Sequence, residues 1–173
     1  IYKTFQTSAM NIKGASPCTR KLKKDVRLKF EKPTDIQVFG YTMEEQDRYD
    51  RFLDANNIVA IAPLIDKGLG KIDCLAMLQN AGIELPTMYK LGYQNNNCIG
   101  CPKGGMGYWN KIRRDFPETF ERMSILEQSL GHSVLRSEGQ PVYLRDLDPQ
   151  RGNHADEPAF ECSLLCAIAE IDM

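Results

Sequence analysis

The stretch Leu91–Gly107 constrains this chain more than any other, because it places Cys98 and Cys101 in a turn rich in glycine. A Cys-x-x-Cys turn lets two sulfur atoms converge on one centre, and Gly100 allows the backbone to fold beneath them. Pro102 lacks an amide donor and ends the turn. The pair therefore predicts half of a metal or iron–sulfur site, with a redox-active dithiol or two unrelated loop thiols as the alternatives.

The cysteines are better explained by thiolate chemistry than by disulfides. With 173 residues, of which 42% are hydrophobic, the chain can bury one core without covalent crosslinks. It begins at Ile1 with neither an initiator Met nor the hydrophobic region of a signal peptide, so we expect a cytoplasmic protein with an incomplete N-terminus. Thiols stay reduced in that compartment. The cysteines are Cys18, Cys74, Cys98, Cys101, Cys162 and Cys166.

The overall charge gives no reason to expect a nucleic-acid or membrane partner. Lys and Arg total 22 against 23 Asp and Glu, a formal net charge of -1, and no apolar run is long enough to span a bilayer. Anion binding must therefore be local. The first candidate is Arg20, Lys21 and Lys23, at the start of a predicted helix where free amides and the helix dipole could hold phosphate or sulfate. A solvated basic face is the alternative.

Alternating strand and helix patterns predict an α/β fold. A buried strand over Ile36–Tyr41 leads into a capping box at Thr42–Glu45, which opens a helix to about Asn56. This arrangement delivers Gly40 and Glu45 to a turn at the end of the strand, where open α/β sheets bind nucleotides. A plain strand-to-helix turn fits equally well.

Further along, the patterns predict a second strand over Ile58–Ala62 and a helix over Lys71–Ala81, with its apolar residues turned inward. Aromatic and aliphatic residues then step at helical intervals from about Tyr108 to Ser129, with a bend expected at Pro117. We accordingly divide the chain into a partial nucleotide-binding α/β domain, residues 1–107, and a C-terminal helix with a cysteine-bearing tail, residues 108–173.

Several short motifs follow one another along the chain. They are Cys18-Thr-Arg-Lys-Leu-Lys, Gly40-Tyr-Thr-Met-Glu-Glu with Arg48, Ala62-Pro-Leu-Ile-Asp66, Asp73, Gly82-Ile-Glu-Leu-Pro-Thr-Met-Tyr89, Gly92-Tyr93 and Cys98-Ile-Gly-Cys101. Taken in this order, they resemble the phosphoadenosine phosphosulfate (PAPS) reductases and related adenine nucleotide alpha hydrolases. The resemblance implies the C-terminal part of a Rossmann-like parallel sheet that binds an adenine nucleotide, with Gly40, Glu45 and Arg48 in its pocket. Cys18 and Cys98 are 80 positions apart, the separation with which adenylylsulfate reductases of this family hold a [4Fe-4S] cluster.

The chain departs from this family in three places. The phosphate loop of the form Ser-Gly-Gly-x-Asp-Ser is absent, and Cys18 stands alone where the adenylylsulfate reductases carry adjacent cysteines. The family's active-site tail reads Glu-Cys-Gly-Leu-His, whereas this chain has Glu161-Cys-Ser-Leu-Leu165. The position of the nucleophile, Cys162, is therefore matched and the histidine is not.

Three functions follow as hypotheses. The first is a sulfonucleotide reductase-like oxidoreductase in which Cys162 attacks the sulfur of adenylyl sulfate, with a thiol electron donor as partner. The second is an ATP-dependent enzyme of the same superfamily that inserts sulfur into an acceptor. The third is a non-catalytic fragment whose thiolates hold a structural zinc ion. Cys98, Cys101, Cys162, Cys166 and Cys18 are the predicted ligands of the cluster or zinc, and a homo-oligomer is left open.

Overall fold

The computed structural model describes residues 2–8, 18, 20–56 and 58–157. These residues form a mostly helical α/β structure with two small two-stranded sheets. No helix among them is long and apolar enough to cross a membrane.

Helices account for most of the regular structure. They are α1 (Tyr2–Ser8), α2 (Asp25–Phe30), α3 (Gln46–Ala55), α4 (Pro63–Asp66), α5 (Lys71–Asn80), α6 (Thr87–Lys90), α7 (Met106–Asp115) and α8 (Pro117–Leu130). A π-helical turn, Arg20–Lys24, leads into α2, and 3-10 turns span Met43–Glu45 and Leu144–Asp146. The strands are β1 (Gln37–Val38), β2 (Ala60–Ile61), β3 (Leu135–Ser137) and β4 (Gln140–Val142).

The first sheet confirms the α/β prediction at a coarse level. β1 pairs with β2 in parallel, with Val38 opposite Ile61. Both strands are shorter than the sequence predicted, and within the described ranges no third strand joins them. On one side, Phe39 packs edge-on against Phe52 of α3, with ring centroids 4.9 Å apart. The other sheet is an antiparallel hairpin of β3 and β4.

The prediction of a fully buried strand at Ile36–Tyr41 is wrong for one face of the sheet. Val38 keeps 65% of its surface exposed and Ile61 keeps 44%. Side chains alternate across a strand, and α3 covers only the side to which Phe39 points. The paired apolar residues Val38 and Ile61 therefore form a face that no described element covers.

The predicted inward face of the Lys71–Ala81 helix is also partly wrong. Leu75 and Leu78 are half-buried, but Ile72 is 80% exposed and Ala76 is exposed. Lys71 directs its ammonium group to the loop at Asn95. Because successive helical residues point about 100° apart, Ile72 then faces solvent.

The predicted bend near Pro117 is a complete break between two helices. α7 ends at Asp115, Phe116 adopts φ -141° and ψ 64°, and Pro117 opens α8. Proline suits this position because a first-turn amide needs no partner within the helix. α8 ends at Leu130. The next residue, Gly131, caps the helix in the left-handed conformation, with φ 61°, which glycine adopts easily.

The larger core lies around α7 and α8. The predicted aromatic and aliphatic stripe is confirmed as core by Trp109, Ile112 and Met123, which are fully buried, although Leu130 is exposed. Residues from both sides of position 107 contribute to this core. They are Phe5, Met88, Tyr93, Cys101, Tyr108, Trp109, Ile112, Phe120, Met123, Val134, Leu135, Leu144 and Leu147. The division into 1–107 and 108–173 stays a prediction.

A buried carboxylate joins α8 to the hairpin. Glu127 has no exposed surface and accepts hydrogen bonds from the backbone amides of Val134, at 3.0 Å, and Leu144. Burial nevertheless raises the pKa of Glu127 to about 7. Glu127 therefore holds the hairpin against the core. Burying its ionised form is unfavourable, so its contribution to stability depends on pH.

Candidate functional site

The Cys98–Cys101 turn is held at both ends by one tyrosine of α7. The Tyr108 hydroxyl donates to the carbonyl of Cys98, at 3.1 Å, and accepts from the amide of Cys101, at 3.0 Å. Cys98 is exposed and Cys101 is buried. Burial raises the pKa of Tyr108 well above its ordinary value, so the phenol keeps the proton that it donates. The turn is therefore shaped before any ligand binds.

Two glycines allow the close approach of this turn to the helices. Gly100 adopts φ 72°, and a Cβ atom there would lie 2.6 Å from Cγ2 of Thr119. A Cβ atom on Gly104 would lie 1.9 Å from Cδ1 of Tyr108. A side chain at Gly100 would displace the turn from α8, and one at Gly104 would displace it from α7.

A segment that we call the strap, residues 152–157, crosses the N-terminus of α7. The Glu157 carboxylate accepts from the amides of Gly107, at 2.6 Å, and Tyr108, at 2.9 Å. These amides have no partner within the helix, and the helix dipole favours a negative charge there. Glu157 therefore fixes the strap to the helix that carries Tyr108.

Gln94, four residues before Cys98, holds the same strap from the other side. Its side-chain amide lies 3.3 Å from the carbonyl oxygens of His154 and Ala155 and 3.2 Å from that of Glu157. The loop that leads to the cysteine turn is thus bonded directly to the strap. The turn, the strap and the start of α7 form one hydrogen-bonded unit.

His154 occupies the space between two tyrosine rings of this unit. Its ring centroid lies 5.2 Å from that of Tyr93 and 6.0 Å from that of Tyr108. Both ring nitrogens are buried, and neither has a hydrogen-bond partner among the described residues. Burial lowers the pKa of His154, which favours the neutral imidazole near pH 7. A buried neutral imidazole can accept a proton or bind a metal.

Lys71 connects this unit to the strand-to-helix turn that we predicted as a nucleotide site. Its backbone amide donates to Glu44, at 3.1 Å, and its ammonium group donates to Asn95 Oδ1, at 2.6 Å, and to the carbonyl of Gln94. Hydrogen bonds from the backbone amide of Glu44 itself, from Thr42 and from Lys71 hold the pKa of Glu44 below its ordinary value. The two predicted sites therefore share a continuous set of contacts.

The predicted nucleotide-pocket residues fall into two groups. Gly40 is exposed, and a Cβ atom there would meet nothing within 4 Å. Glu45 and Arg48 form an ion pair with each other, and the Arg48 guanidinium lies 4.9 Å from the Tyr41 ring centroid. The Glu45 carboxylate also accepts from the Thr42 amide, at 3.2 Å, as part of the predicted capping box before α3. Nucleotide binding by the three residues stays a prediction.

The structure describes the predicted basic cluster and Cys18, but not the two C-terminal cysteines. Arg20, Lys21 and Lys23 are exposed on the π-helical turn, and Arg20 Nε lies 3.8 Å from Asp25 Oδ1. Cys18 is half-buried. Cys162 and Cys166 lie outside the described residues, as does Thr19. In the part of the chain that the structure describes, no three His, Cys, Asp or Glu side chains are grouped to hold a metal ion.

Sequence reasoning missed the residues that organise this site. They are Lys71, Gln94, Tyr108, His154 and Glu157. The polar run Gln94-Asn-Asn-Asn97 directly before Cys98 was a usable signal for a hydrogen-bonding loop. Glu157 offered none, because its partners lie 49 and 50 positions away.

We compared the chain with family models, curated proteins and solved structures, and none of them matches it. The resemblance to the PAPS reductases therefore rests on the short motifs quoted above. Function has to be argued from the site.

Proposed function

We propose that the chain carries the thiolate centre of a PAPS reductase-like enzyme, which performs sulfur chemistry on an adenine nucleotide. The observation that carries this proposal is the Glu157 bond to the start of α7. Glu157 lies five residues before Cys162 and accepts from the backbone amide of Tyr108. The hydroxyl of the same tyrosine binds the Cys98–Cys101 turn. Five residues span at most roughly 18 Å, so the proposal requires the turn to lie within that distance of Glu157.

Cys98 and Cys101 fit a thiolate ligand pair. Their turn is short, glycine-supported and hydrogen-bonded at both ends by Tyr108. In this proposal they hold an iron–sulfur cluster or zinc together with Cys166 and Cys18.

The proposed reaction starts at the tail. The Cys162 thiolate attacks the sulfur of an adenylyl sulfate, forming an S–S bond while the S–O bond to the nucleotide phosphate breaks. The nucleotide leaves with that electron pair. Two thiol groups of an electron donor then supply two electrons, release sulfite, regenerate the Cys162 thiol and become a disulfide.

The fold proposal is that β1 and β2 belong to a larger parallel sheet of the adenine nucleotide alpha hydrolase type. Parallel sheets are normally covered on both faces. The parallel pairing and the uncovered Val38 and Ile61 support this interpretation. In such a sheet, Gly40, Glu45 and Arg48 would lie at the nucleotide pocket, with Arg20, Lys21 and Lys23 against its anionic groups.

Metal analysis tests the thiolate centre directly. Cys98→Ser and Cys101→Ser should each lower the metal content of anaerobically purified protein, whereas Cys74→Ser, on α5, should not. An iron–sulfur cluster should add absorption near roughly 400 nm, which zinc lacks. Unchanged metal stoichiometry in both turn variants would contradict the proposal.

The strap also favours a second candidate, in which the tail only supplies ligands. Cys162 and Cys166 would then complete a structural zinc site with Cys98 and Cys101. A Cys162→Ser/Cys166→Ser variant separates the two. Loss of metal indicates ligation, whereas retained metal with loss of adenylyl-sulfate-dependent labelling of the tail indicates that Cys162 is the nucleophile. Sulfur insertion into another acceptor, with ATP as activator, stays the alternative within the same superfamily.

A further inference from the structure

A cavity of about 520 Å³ lies between α7 and the strap. Its polar lining consists of three cations, a histidine and two asparagines, and no carboxylate among the described residues lines it. These residues are Asn110, Lys111, Arg113, Arg114, Asn153 and His154. We propose that the cavity binds an oxyanion, sulfate or phosphate, either free or as the ester group of a small molecule.

Lys111 and Arg114 form one part of the cationic wall. Lys111 Nζ lies 2.8 Å from Asp115 Oδ2, and Arg114 Nε lies 3.1 Å from Asp115 Oδ1. Burial works against ionisation of Asp115, but the hydrogen bonds from Lys111 and Arg114 outweigh it and lower its pKa. One carboxylate is thus shared by two cations behind the wall, so the pair keeps an excess of positive charge.

Arg113 is held in place by neutral groups. Its Nη2 donates to the carbonyl oxygens of Leu144, at 3.0 Å, and Leu147, at 2.9 Å, and its guanidinium lies 4.4 Å from the Phe120 ring centroid. Asp148 is the acidic residue whose charge acts on this guanidinium. Both carbonyls bind Nη2, which fixes the plane of the guanidinium group. Its other N–H groups remain available as donors to an oxyanion.

Two residues of the lining, His154 and Asn110, carry buried polar atoms. Among the described residues, neither ring nitrogen of His154 nor Oδ1 of Asn110 has a hydrogen-bond partner. The Asn110 side-chain nitrogen is fixed by the carbonyls of Asp148 and Arg151, both at 2.8 Å. Buried polar atoms are nearly always paired in native proteins, and a neutral imidazole carries one N–H donor, so the unpaired His154 ring favours a ligand that accepts hydrogen bonds. Asn110 Oδ1 is itself an acceptor and does not contribute to anion binding.

The cavity size suits an anion with an organic group attached. Small-molecule pockets commonly enclose about 300–1,000 Å³, more than a bare oxyanion needs. The inference goes beyond the proposed function and does not rest on it, because the lining includes neither a cysteine nor a member of the basic cluster Arg20, Lys21 and Lys23.

Nuclear magnetic resonance can test this proposal through the chain's two histidines, His132 and His154. His132 lies near Phe5 of α1, with ring centroids 6.1 Å apart, and serves as an internal control. Sodium sulfate, sodium phosphate and adenosine monophosphate are titrated against sodium chloride at matched ionic strength. We expect a saturable shift of the His154 imidazole signals, with those of His132 unchanged.

Two variants that each remove one positive charge test whether the anion binds in this cavity. Arg114 is 71% exposed, so Arg114→Ala should fold normally and weaken sulfate binding by roughly tenfold. Arg136→Ala removes the same charge from an exposed position of β3 and should leave binding unchanged. The proposal is overturned if none of the three anions gives a saturable shift, or if both variants weaken binding equally. Sulfate binding that persists in metal-depleted Cys98→Ser protein would separate this site from the thiolate centre.

Discussion

Single side chains decide the geometry of the cysteine turn. Tyr108 satisfies the Cys98 carbonyl and the Cys101 amide with one hydroxyl, while its ring lies against Trp109 at a centroid distance of 5.7 Å. The ring contributes to the core and the hydroxyl shapes the turn. The two contributions can be separated, because phenylalanine preserves the first and removes the second.

Tyr108→Phe should therefore loosen the turn without emptying the core. Loss of two buried hydrogen bonds should lower the free energy of unfolding by about 1–3 kcal/mol. We also expect weaker metal retention during dialysis against a chelator. Urea denaturation measures the first effect, with Tyr143→Phe, outside the turn, as control. Equal stability of Tyr108→Phe and the parent protein would show that the hydroxyl does not hold the turn.

Glu127 is the residue through which stability should depend on pH. Its pKa rises from 4.5 to about 7 on folding, so between those values the folded protein binds more protons than the unfolded chain. The stabilising contribution is complete below pH 4.5 and is lost as pH rises towards 7. The loss should reach roughly 3 kcal/mol, the free energy equivalent of that shift.

Urea midpoints measured between pH 4.5 and pH 8 test this prediction. Glu127→Gln cannot ionise and should flatten the pH dependence, although it leaves one of the two backbone amides poorly paired. Glu121→Gln, an exposed change on the same helix, should keep the parent slope. The lowered pKa of His154 acts in the opposite sense, so the comparison between parent and Glu127→Gln isolates Glu127. Equal pH dependence in these two proteins would contradict the raised pKa of Glu127.

At the scale of elements, the strap and α7 depend on each other. Glu157 supplies the only carboxylate bonded to the first amides of α7 among the described residues, and Gln94 holds the strap from the facing loop. Position 107 also has to be glycine, because a Cβ atom there would lie 2.5 Å from the His154 amide nitrogen. The close approach of the two segments therefore needs both glycine and the carboxylate.

Glu157→Gln should release the strap from α7. Losing the charged cap should lower the free energy of unfolding by about 1 kcal/mol and increase hydrogen exchange at the Gly107 and Tyr108 amides. Glu118→Gln is the matched control, because Glu118 lies exposed in the first turn of α8. If exchange at the two amides is the same in Glu157→Gln and the parent, the strap does not depend on this contact.

At the scale of the whole molecule, two cores lie on either side of a polar connection. The smaller core contains Tyr49, Phe52 and Ala62 beside the parallel sheet, and the larger surrounds α7 and α8. Lys71 joins the predicted nucleotide turn at Glu44 to the loop at Gln94. Lys71 therefore contacts both segments for which we predicted a site.

The basic cluster gives a test of nucleotide binding in the whole molecule. Changing Arg20, Lys21 and Lys23 together to Ala should weaken adenylyl sulfate binding by tenfold or more, on the order expected for lost charge-assisted hydrogen bonds. The difference from the parent should shrink as salt is added. Alanine at the exposed Lys29, Lys32 and Lys67 is the charge-matched control. Equal affinities for all three proteins would identify the cluster as a solvated face.

The sequence by itself determined the local elements. Thr42 and Glu45 predicted the start of α3, and the spacing of Trp109, Ile112 and Met123 predicted the core side of α7 and α8. Pro117 predicted only a bend, at the position where α8 begins as a separate helix. These signals act between residues a few positions apart, within one helix or turn. They are therefore visible in the order of residues alone.

Only the tertiary structure decided which surfaces are covered and which distant groups meet. Val38 and Ile72 have the composition of core residues, yet no described element covers them. Glu157 reaches α7 across 50 positions, and Arg113 and His154 line one cavity from segments that sequence patterns do not relate. Burial and long-range pairing depend on the path of the entire chain, so periodicity and spacing within one segment cannot specify them.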